Sequence, residues 1–233
     1  MILEGFGMAA CAAGLMTYGV RGRSSAWFGP SVYRGTGARR SIALTFDDGP
    51  SPSTPELLEI LDRHAVKATF FQCGSNAGRL AAAAREVSRA GHEIGNHSET
   101  HARWWLRSPR FIFDELLRAQ ETLAAIHGQP PRLFRAPYGV RWFGLRQAQQ
   151  RLGLLGVMWT AIGRDWALPA EAVHCRLLRR AAAGAIFCLH DGRELQPQPD
   201  VRSTLEAVRR LIPDLRDQGY RFETVSEILR PDA

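Results

Sequence analysis

Two adjacent carboxylates, Asp47 and Asp48, stand in the stretch Thr45-Phe46-Asp47-Asp48-Gly49-Pro50, directly behind the apolar run Ile42-Ala43-Leu44. Neighbouring residues of a strand point to opposite faces, but a turn at the strand's end can aim both side chains into one cleft. Carboxylates that close repel each other unless a cation or a proton separates their charge states. One can then hold a metal while the other stays free as a base. Asp-Gly-Pro is also what an ordinary turn uses, so the motif alone leaves both readings open. A second pair, His97 and His101, is spaced by four residues in His97-Ser98-Glu99-Thr100-His101. On a helical turn this spacing puts both imidazoles on one side, where they can grip one ion. With Asp48 they make three ligands and leave one position open, the arrangement of catalytic rather than structural zinc. The alternative is a histidine pair on a polar helix face.

These groups need a frame. Strand signals fall at residues 41–46, 69–71, 92–95, 132–134, 156–161, 185–189 and 220–223. Helical signals fall at 54–64, 76–90, 109–126, 142–152, 169–182 and 202–218, the last with a break expected near Pro213. This alternation predicts a parallel α/β fold, barrel-like or doubly wound. Such folds collect functional groups at the carboxyl ends of their strands. There the chain carries Asp47-Asp48, the His97–His101 stretch, Arg135-Ala136-Pro137-Tyr138-Gly139, Arg164-Asp165-Trp166 and His190-Asp191-Gly192. His64, His127 and His174 read as surface residues on helices, and His92 as structural.

Bulk properties narrow the class. The 233 residues, 45% hydrophobic and 23% charged, suit an ordinary globular protein with a sizeable core. The net charge of +7 comes from scattered arginines with a single lysine, Lys67. No basic run is interleaved with aromatics, so a nucleic-acid partner is not expected. Cys11, Cys73, Cys175 and Cys188 show no paired spacing. Cys73 and Cys188 read as small buried hydrophobes, and no disulfide is needed. Residues 1–20 are mostly apolar and just reach the ~20 residues a bilayer span requires. They read as an apolar N-terminal segment and membrane anchor, 21–40 as a connector, and 41–233 as the catalytic domain.

In order along the chain, Thr45–Pro50, His97–His101, Arg135–Tyr138, Asp165-Trp166 and Leu189-His190 resemble the five ordered motifs of the polysaccharide deacetylase proteins (NodB homology, carbohydrate esterase family 4). The resemblance implies a deformed (β/α) barrel of parallel strands with surrounding helices. It also implies one divalent metal, usually Zn2+ with Co2+ or another divalent ion as alternatives, and removal of acetyl groups from N-acetylglucosamine-containing glycans. It assigns the metal to Asp48, His97 and His101, and general base to Asp47, held in place by Arg135. Tyr138 would offer its backbone N–H to the oxyanion, and His190 would be the general acid, tuned by Asp165. Trp166 would form a cleft wall, with Pro137, Leu189 and Cys188 completing the substrate contacts.

Two positions depart from the pattern. Ile162 stands where the family often has an aspartate, and Cys188 where it commonly has a leucine lining the acetyl pocket. The second departure bears on acyl selectivity. A carbohydrate-binding pseudoenzyme and a hydrolase of small cyclic amides or ureides on the same scaffold are the other readings. Peptidoglycan, chitin-like oligomers and lipid-linked sugars are the candidate glycans. Arg21 and Arg23, following the apolar segment, favour leaving the domain in the cytoplasm. The family's usual work favours a membrane-associated, extracytoplasmic domain, which is the expectation adopted.

Overall fold

The computed structural model describes the backbone of residues 2–231 and the side chains from Cys11 onward. Helix α1 (Ile2–Arg21) leads to a short strand β1 (Ser31–Val32) and then to the central strand β2 (Ser41–Asp47). After β2 come α2 (Thr54–Arg63), β3 (Thr69–Gln72), α3 (Gly74–Arg79), α4 (Ala81–Arg89) and β4 (Glu93–Asn96). The second half contains α5 (Pro109–His127), β5 (Leu133–Phe134), α6 (Leu145–Leu152), β6 (Leu155–Val157), β7 (Ala161–Ile162) and α7 (Ala170–Leu178). It ends with β8 (Ala185–His190), α8 (Arg202–Asp217), β9 (Arg221–Phe222) and α9 (Val225–Ile228).

The strands form one parallel sheet in the order β1-β6-β5-β4-β3-β2-β8-β7, with β9 also pairing β2. Strands β6 and β7 lie near opposite ends of this order, yet only Met158, Trp159 and Thr160 separate them. Four residue steps span at most about 14 Å, so the sheet has to curl until its two edges nearly meet. The result is a half-barrel surrounded by helices, as the motif order implied.

Strand β2 shows how the sequence builds both layers. All seven of its residues are buried. Ile42, Leu44 and Phe46 point outward into a large core with Leu57 and Leu61 of α2 and Val208, Leu211 and Leu215 of α8. Ala43 points inward against Phe71, Val157 and Ile186. The period-two alternation therefore puts Thr45 and Asp47 on the inner face.

Several local expectations are corrected. The single helix at 76–90 is two helices, because Leu80 between them is non-helical (φ −120°, ψ 47°). The break lets Asn76 turn to the site, where its Nδ2 donates to the carbonyls of Asp48 and Glu194, both at 2.7 Å. The strand at 156–161 divides into β6 and β7. Arg135 donates from Nε to Val157 O (3.1 Å) and from Nη2 to Met158 O (3.2 Å), which draws these carbonyls out of a regular ladder. Pro213 does not break α8, which runs through it with Leu211, Ile212 and Leu215 fully buried around it. Packing of that stripe outweighs the lost backbone bond. His174 is buried with Nε2 2.7 Å from Asp214, and half-buried His127 bridges Ser88 and Gln72 at 3.0 Å each, so neither is a free surface group. His92 is buried and accepts from the amide of Ala68 at 3.2 Å, a structural role.

The connector lies against the domain. The buried Arg141 donates its guanidinium to the carbonyls of Gly22 and Ser25 and its amide to Val20 O (3.1 Å). Phe28 stacks on Trp142 with centroids 6.0 Å apart, and β1 pairs with β6. Among the described residues no helix is long and apolar enough to cross a membrane. The expected apolar segment 1–20 falls in part on positions 1–10, whose side chains lie outside the described residues.

Candidate active site

Asp47 closes β2 on the inner face, where Arg135, just beyond β5, meets it. The Arg135 guanidinium is fully buried and donates from Nη1 to Asp47 Oδ1 (2.6 Å) and Thr45 Oγ1 (2.7 Å), while lying 4.2 Å over the Phe71 ring. With the Val157 and Met158 carbonyls, this occupies the head group on every side. The remaining Asp47 oxygen, Oδ2, faces the thiol of Cys188, which donates to it at 3.4 Å.

One residue on, the backbone turns. Asp48 has φ 72°, the left-handed region, so its side chain leaves the strand's alternation. Gly49 follows because nothing larger fits: a Cβ there would lie 2.2–2.5 Å from the Asp191 carboxylate. Asp48 Oδ1 sits 3.2 Å from His97 Nε2 and 3.1 Å from His101 Nε2. Its Oδ2 accepts from the amide of Glu194 at 2.8 Å. Burial would raise the Asp48 pKa, but His101 and His97 beside it prevail and hold the carboxyl well below its ordinary value.

The two histidines converge without the helical turn expected for them. They sit in an irregular loop after β4, with Ser98 (φ 64°) and His101 (φ 52°) left-handed. The Asn96 Oδ1 accepts from the Ser98 amide (2.8 Å), and Ser98 Oγ accepts from the His101 amide (3.1 Å). These short polar bonds replace helical ones. His97 Nδ1 donates to the Arg135 carbonyl at 2.8 Å, which leaves the lone pair of Nε2 facing Asp48. A buried carboxylate oxygen opposed by an imidazole lone pair is repulsive unless a cation or a proton lies between them. Among the described residues Asp48 Oδ1 also has no hydrogen-bond partner of its own. The donor set of one carboxylate and two Nε2 atoms, oriented from behind by a carbonyl, therefore fits a divalent metal.

Opposite stands His190 at the end of β8, in register with Asp47. Its Nδ1 is 2.9 Å from Asp165 Oδ1, and its amide donates to Asp165 Oδ2, also at 2.9 Å. Thr204 Oγ1 adds a third bond to that carboxylate (2.5 Å), and Arg193 Nη2 donates to the Asp165 carbonyl (3.0 Å). Burial would lower the His190 pKa, but the Asp165 charge and hydrogen bond, helped by Asp48 and Asp47, push it up to about 9. Asp165, buried yet paired with His190, is held below its ordinary value. Trp166 stands edge-on to His190 with centroids 5.1 Å apart.

A family model for polysaccharide deacetylase matches residues 34–157. A chitooligosaccharide deacetylase of Bradyrhizobium sp. (strain ANU 289) is 34% identical over 208 residues, covering 84% of this chain and 94% of the relative. The chain belongs to the polysaccharide deacetylase family. The structure of a peptidoglycan N-acetylglucosamine deacetylase bound to a naphthyl N-hydroxybenzamide superposes with a TM-score of 0.81 at 26% identity, covering 87% of this chain and 94% of that one. A family pseudoenzyme from Bacillus anthracis superposes with a TM-score of 0.78 at 29% identity, covering 86% of this chain and 69% of that one.

Within this family frame the expected residues divide into three sets. Asp47, Asp48, His97, His101, Tyr138, Trp166, Cys188 and His190 line one cleft of about 580 Å³, while Arg135 and Asp165 are buried behind it. Leu189 and Pro137 do not line it. Along β8 the alternation that turns Cys188 and His190 inward turns Leu189 outward into the core, and Pro137 is buried in the 3-10 turn Pro137–Gly139. Tyr138 in that turn has φ 56°, which presents its ring at the rim, 4.6 Å from His101.

Ile162, in place of the family's aspartate, also lines the cleft. So do residues that spacing did not single out. Glu194 donates its amide to Asp48 and accepts from the Tyr138 hydroxyl at 2.7 Å, and Trp159 lies 5.6 Å from the Arg135 guanidinium. Arg193 joins the wall, and Arg21, at the end of α1, reaches it from far away in sequence. No local pattern marks them, since each arrives from a loop or a distant element.

Proposed function

We propose that this protein is a metal-dependent N-deacetylase of N-acetylglucosamine-containing glycans, peptidoglycan or chitin-like oligomers foremost. The observation that carries the reading is the convergence on one cleft of a three-ligand metal site, an arginine-held carboxylate and an aspartate-held imidazole. Asp48, His97 and His101 would hold the metal, and this donor set favours zinc. When bound, such an ion polarises the acetyl carbonyl and lowers the pKa of a water.

The chain's own groups divide the remaining work. Asp47, fixed through Oδ1 by Arg135, takes the proton of the attacking water at Oδ2. The Tyr138 amide donates to the oxygen on which negative charge develops. His190 carries a proton near neutral pH because Asp165 stabilises its imidazolium, and delivers it to the leaving amine. Tyr138 (37% exposed) and Trp166 (49% exposed) flank the opening, and exposed aromatic faces on both rims suit a sugar chain passing through. An open mouth of this kind favours a polymer over a small cyclic amide, which needs a closed pocket. A pseudoenzyme has a precedent in the Bacillus anthracis relative, but the meeting of Asp47, Asp48, His97, His101 and His190 in one cleft supports an active enzyme here.

The test is acetate release from N-acetylglucosamine oligomers and from peptidoglycan, with zinc restored after chelation and Asp47→Asn in parallel. Zinc-dependent release that the variant abolishes supports the reading. Absence of release from a protein holding one zinc overturns it. We also place the domain on the extracytoplasmic side, where a cell-wall substrate would be met. Protection from protease in intact cells, with digestion only after lysis, would refute that placement.

A further inference from the structure

Cys188 occupies a position where its thiol is aimed at chemistry rather than at packing. Strand register places it beside Thr45, two residues before His190, so that it shares the inner face with Asp47 and His190. Asp47 uses Oδ1 for Arg135 (2.6 Å) and turns Oδ2 to the Cys188 sulfur (3.4 Å). His190 uses Nδ1 for Asp165 (2.9 Å), which leaves Nε2 as its available nitrogen. One donor atom from each of the three lies within 4.8 Å of the others, and all three residues line the cleft. Thiolate, imidazole and carboxylate are the ligands that zinc-class ions select, with bonds of about 2.0–2.3 Å. Closing the donors around such an ion requires a contraction of about 1 Å, within the reach of small side-chain rotations.

We propose that Asp47, Cys188 and His190 form a second, inhibitory site for a soft divalent cation, Zn2+ or Cd2+, separate from Asp48, His97 and His101. On binding, the Cys188 S–H bond and the Nε2–H bond of the His190 imidazolium break, both protons pass to solvent water, and sulfur–metal and nitrogen–metal bonds form. Asp47 Oδ2 and His190 Nε2 complete three ligands, and water takes the fourth position. Both groups that would move protons are then occupied, so turnover stops while the first site stays filled. A leucine at 188 has no donor to offer, which makes the device specific to the cysteine.

The experiment uses the full chain stripped by a chelator, in a Cys11→Ser/Cys175→Ser background that removes the exposed and half-exposed thiols. It is titrated with Co2+ while near-ultraviolet absorption is recorded. The expected result is two equivalents, the second bringing a sulfur-to-cobalt charge-transfer band. Cys188→Leu and Cys188→Ser are each expected to bind one equivalent and to lack the band. Their retained first equivalent shows that they are folded. Inhibition by zinc beyond the first equivalent, measured against each protein's own one-equivalent rate, should weaken at least tenfold in both variants. One equivalent in the parent, or a band that persists in Cys188→Leu, overturns the proposal. The cobalt stoichiometry decides the site whether or not acetate is released, so this inference and the deacetylase reading fail separately.

Discussion

The two sides of the cleft are built in opposite ways. The side holding Asp48, His97 and His101 rests on irregular backbone, with left-handed residues at Asp48, Ser98 and His101. Its central carboxylate oxygen faces two imidazoles and has no other partner among the described residues. The side holding Asp47 and His190 rests on two paired parallel strands, and each group has its countercharge: Arg135 for Asp47, Asp165 for His190. One side is complete within the chain, and the other is arranged around something the chain does not supply. Metal binding and proton transfer should therefore be separable by mutation.

The sharpest break is His97→Ala. It is expected to abolish both metal binding and turnover, read by metal analysis of the purified protein beside acetate release. A variant that keeps one tightly held zinc would mean that His97 is not a ligand. His190→Ala should do the reverse, keeping its metal while losing turnover by about 10² to 10⁴. A metal-free His190→Ala would erase the distinction between the two sides.

Next in size is Arg135→Met, which leaves the buried Asp47 carboxylate without its countercharge. Stranding one member of a buried ion pair costs about 3–5 kcal/mol, to be read from denaturant midpoints. Asp47→Asn in the same background should recover part of that loss, because the stranded charge is then gone. No recovery would place the cost in the lost Val157 and Met158 contacts instead.

The smallest effect is on pH dependence. The folded pKa of His190, about 9, lies above the 6.5 of a free imidazole. Its ion pair with Asp165 is thus fully stabilising below about 6.5 and is lost as pH rises through about 9. An acid that must carry a proton loses activity over the same window, which gives kcat/KM an alkaline limb. Asp165→Asn removes the largest upward influence and should move that limb toward 6.5 by one unit or more. An unmoved limb would assign it to another group.

Pattern along the chain carries information where the backbone repeat acts on near neighbours. Asp47 and His190 were legible because strand periodicity is local and repeated, and a residue at the carboxyl end of a parallel strand has few places to point. The same rule excludes Leu189, whose odd position in β8 sends it outward although it lies beside His190. Convergence of His97 and His101 was anticipated on the wrong local geometry. A four-residue spacing suits a helix, but Asn96 and Ser98 offered side-chain bonds that held the loop in another shape.

By itself, the sequence determined the alternation of strands and helices, the residues at the strand ends and, through five ordered motifs, the family. Those are properties of neighbours along the chain, where backbone period and turn chemistry act within a few residues. Only the tertiary structure decided that Glu194 would cap Asp48 and touch Tyr138, and that Arg21 would reach the cleft from the first helix. It alone decided that the thiol of Cys188 would meet Oδ2 of Asp47. These contacts join elements up to 170 or so residues apart, and they form because a sheet whose edges nearly meet brings distant strand ends to one rim.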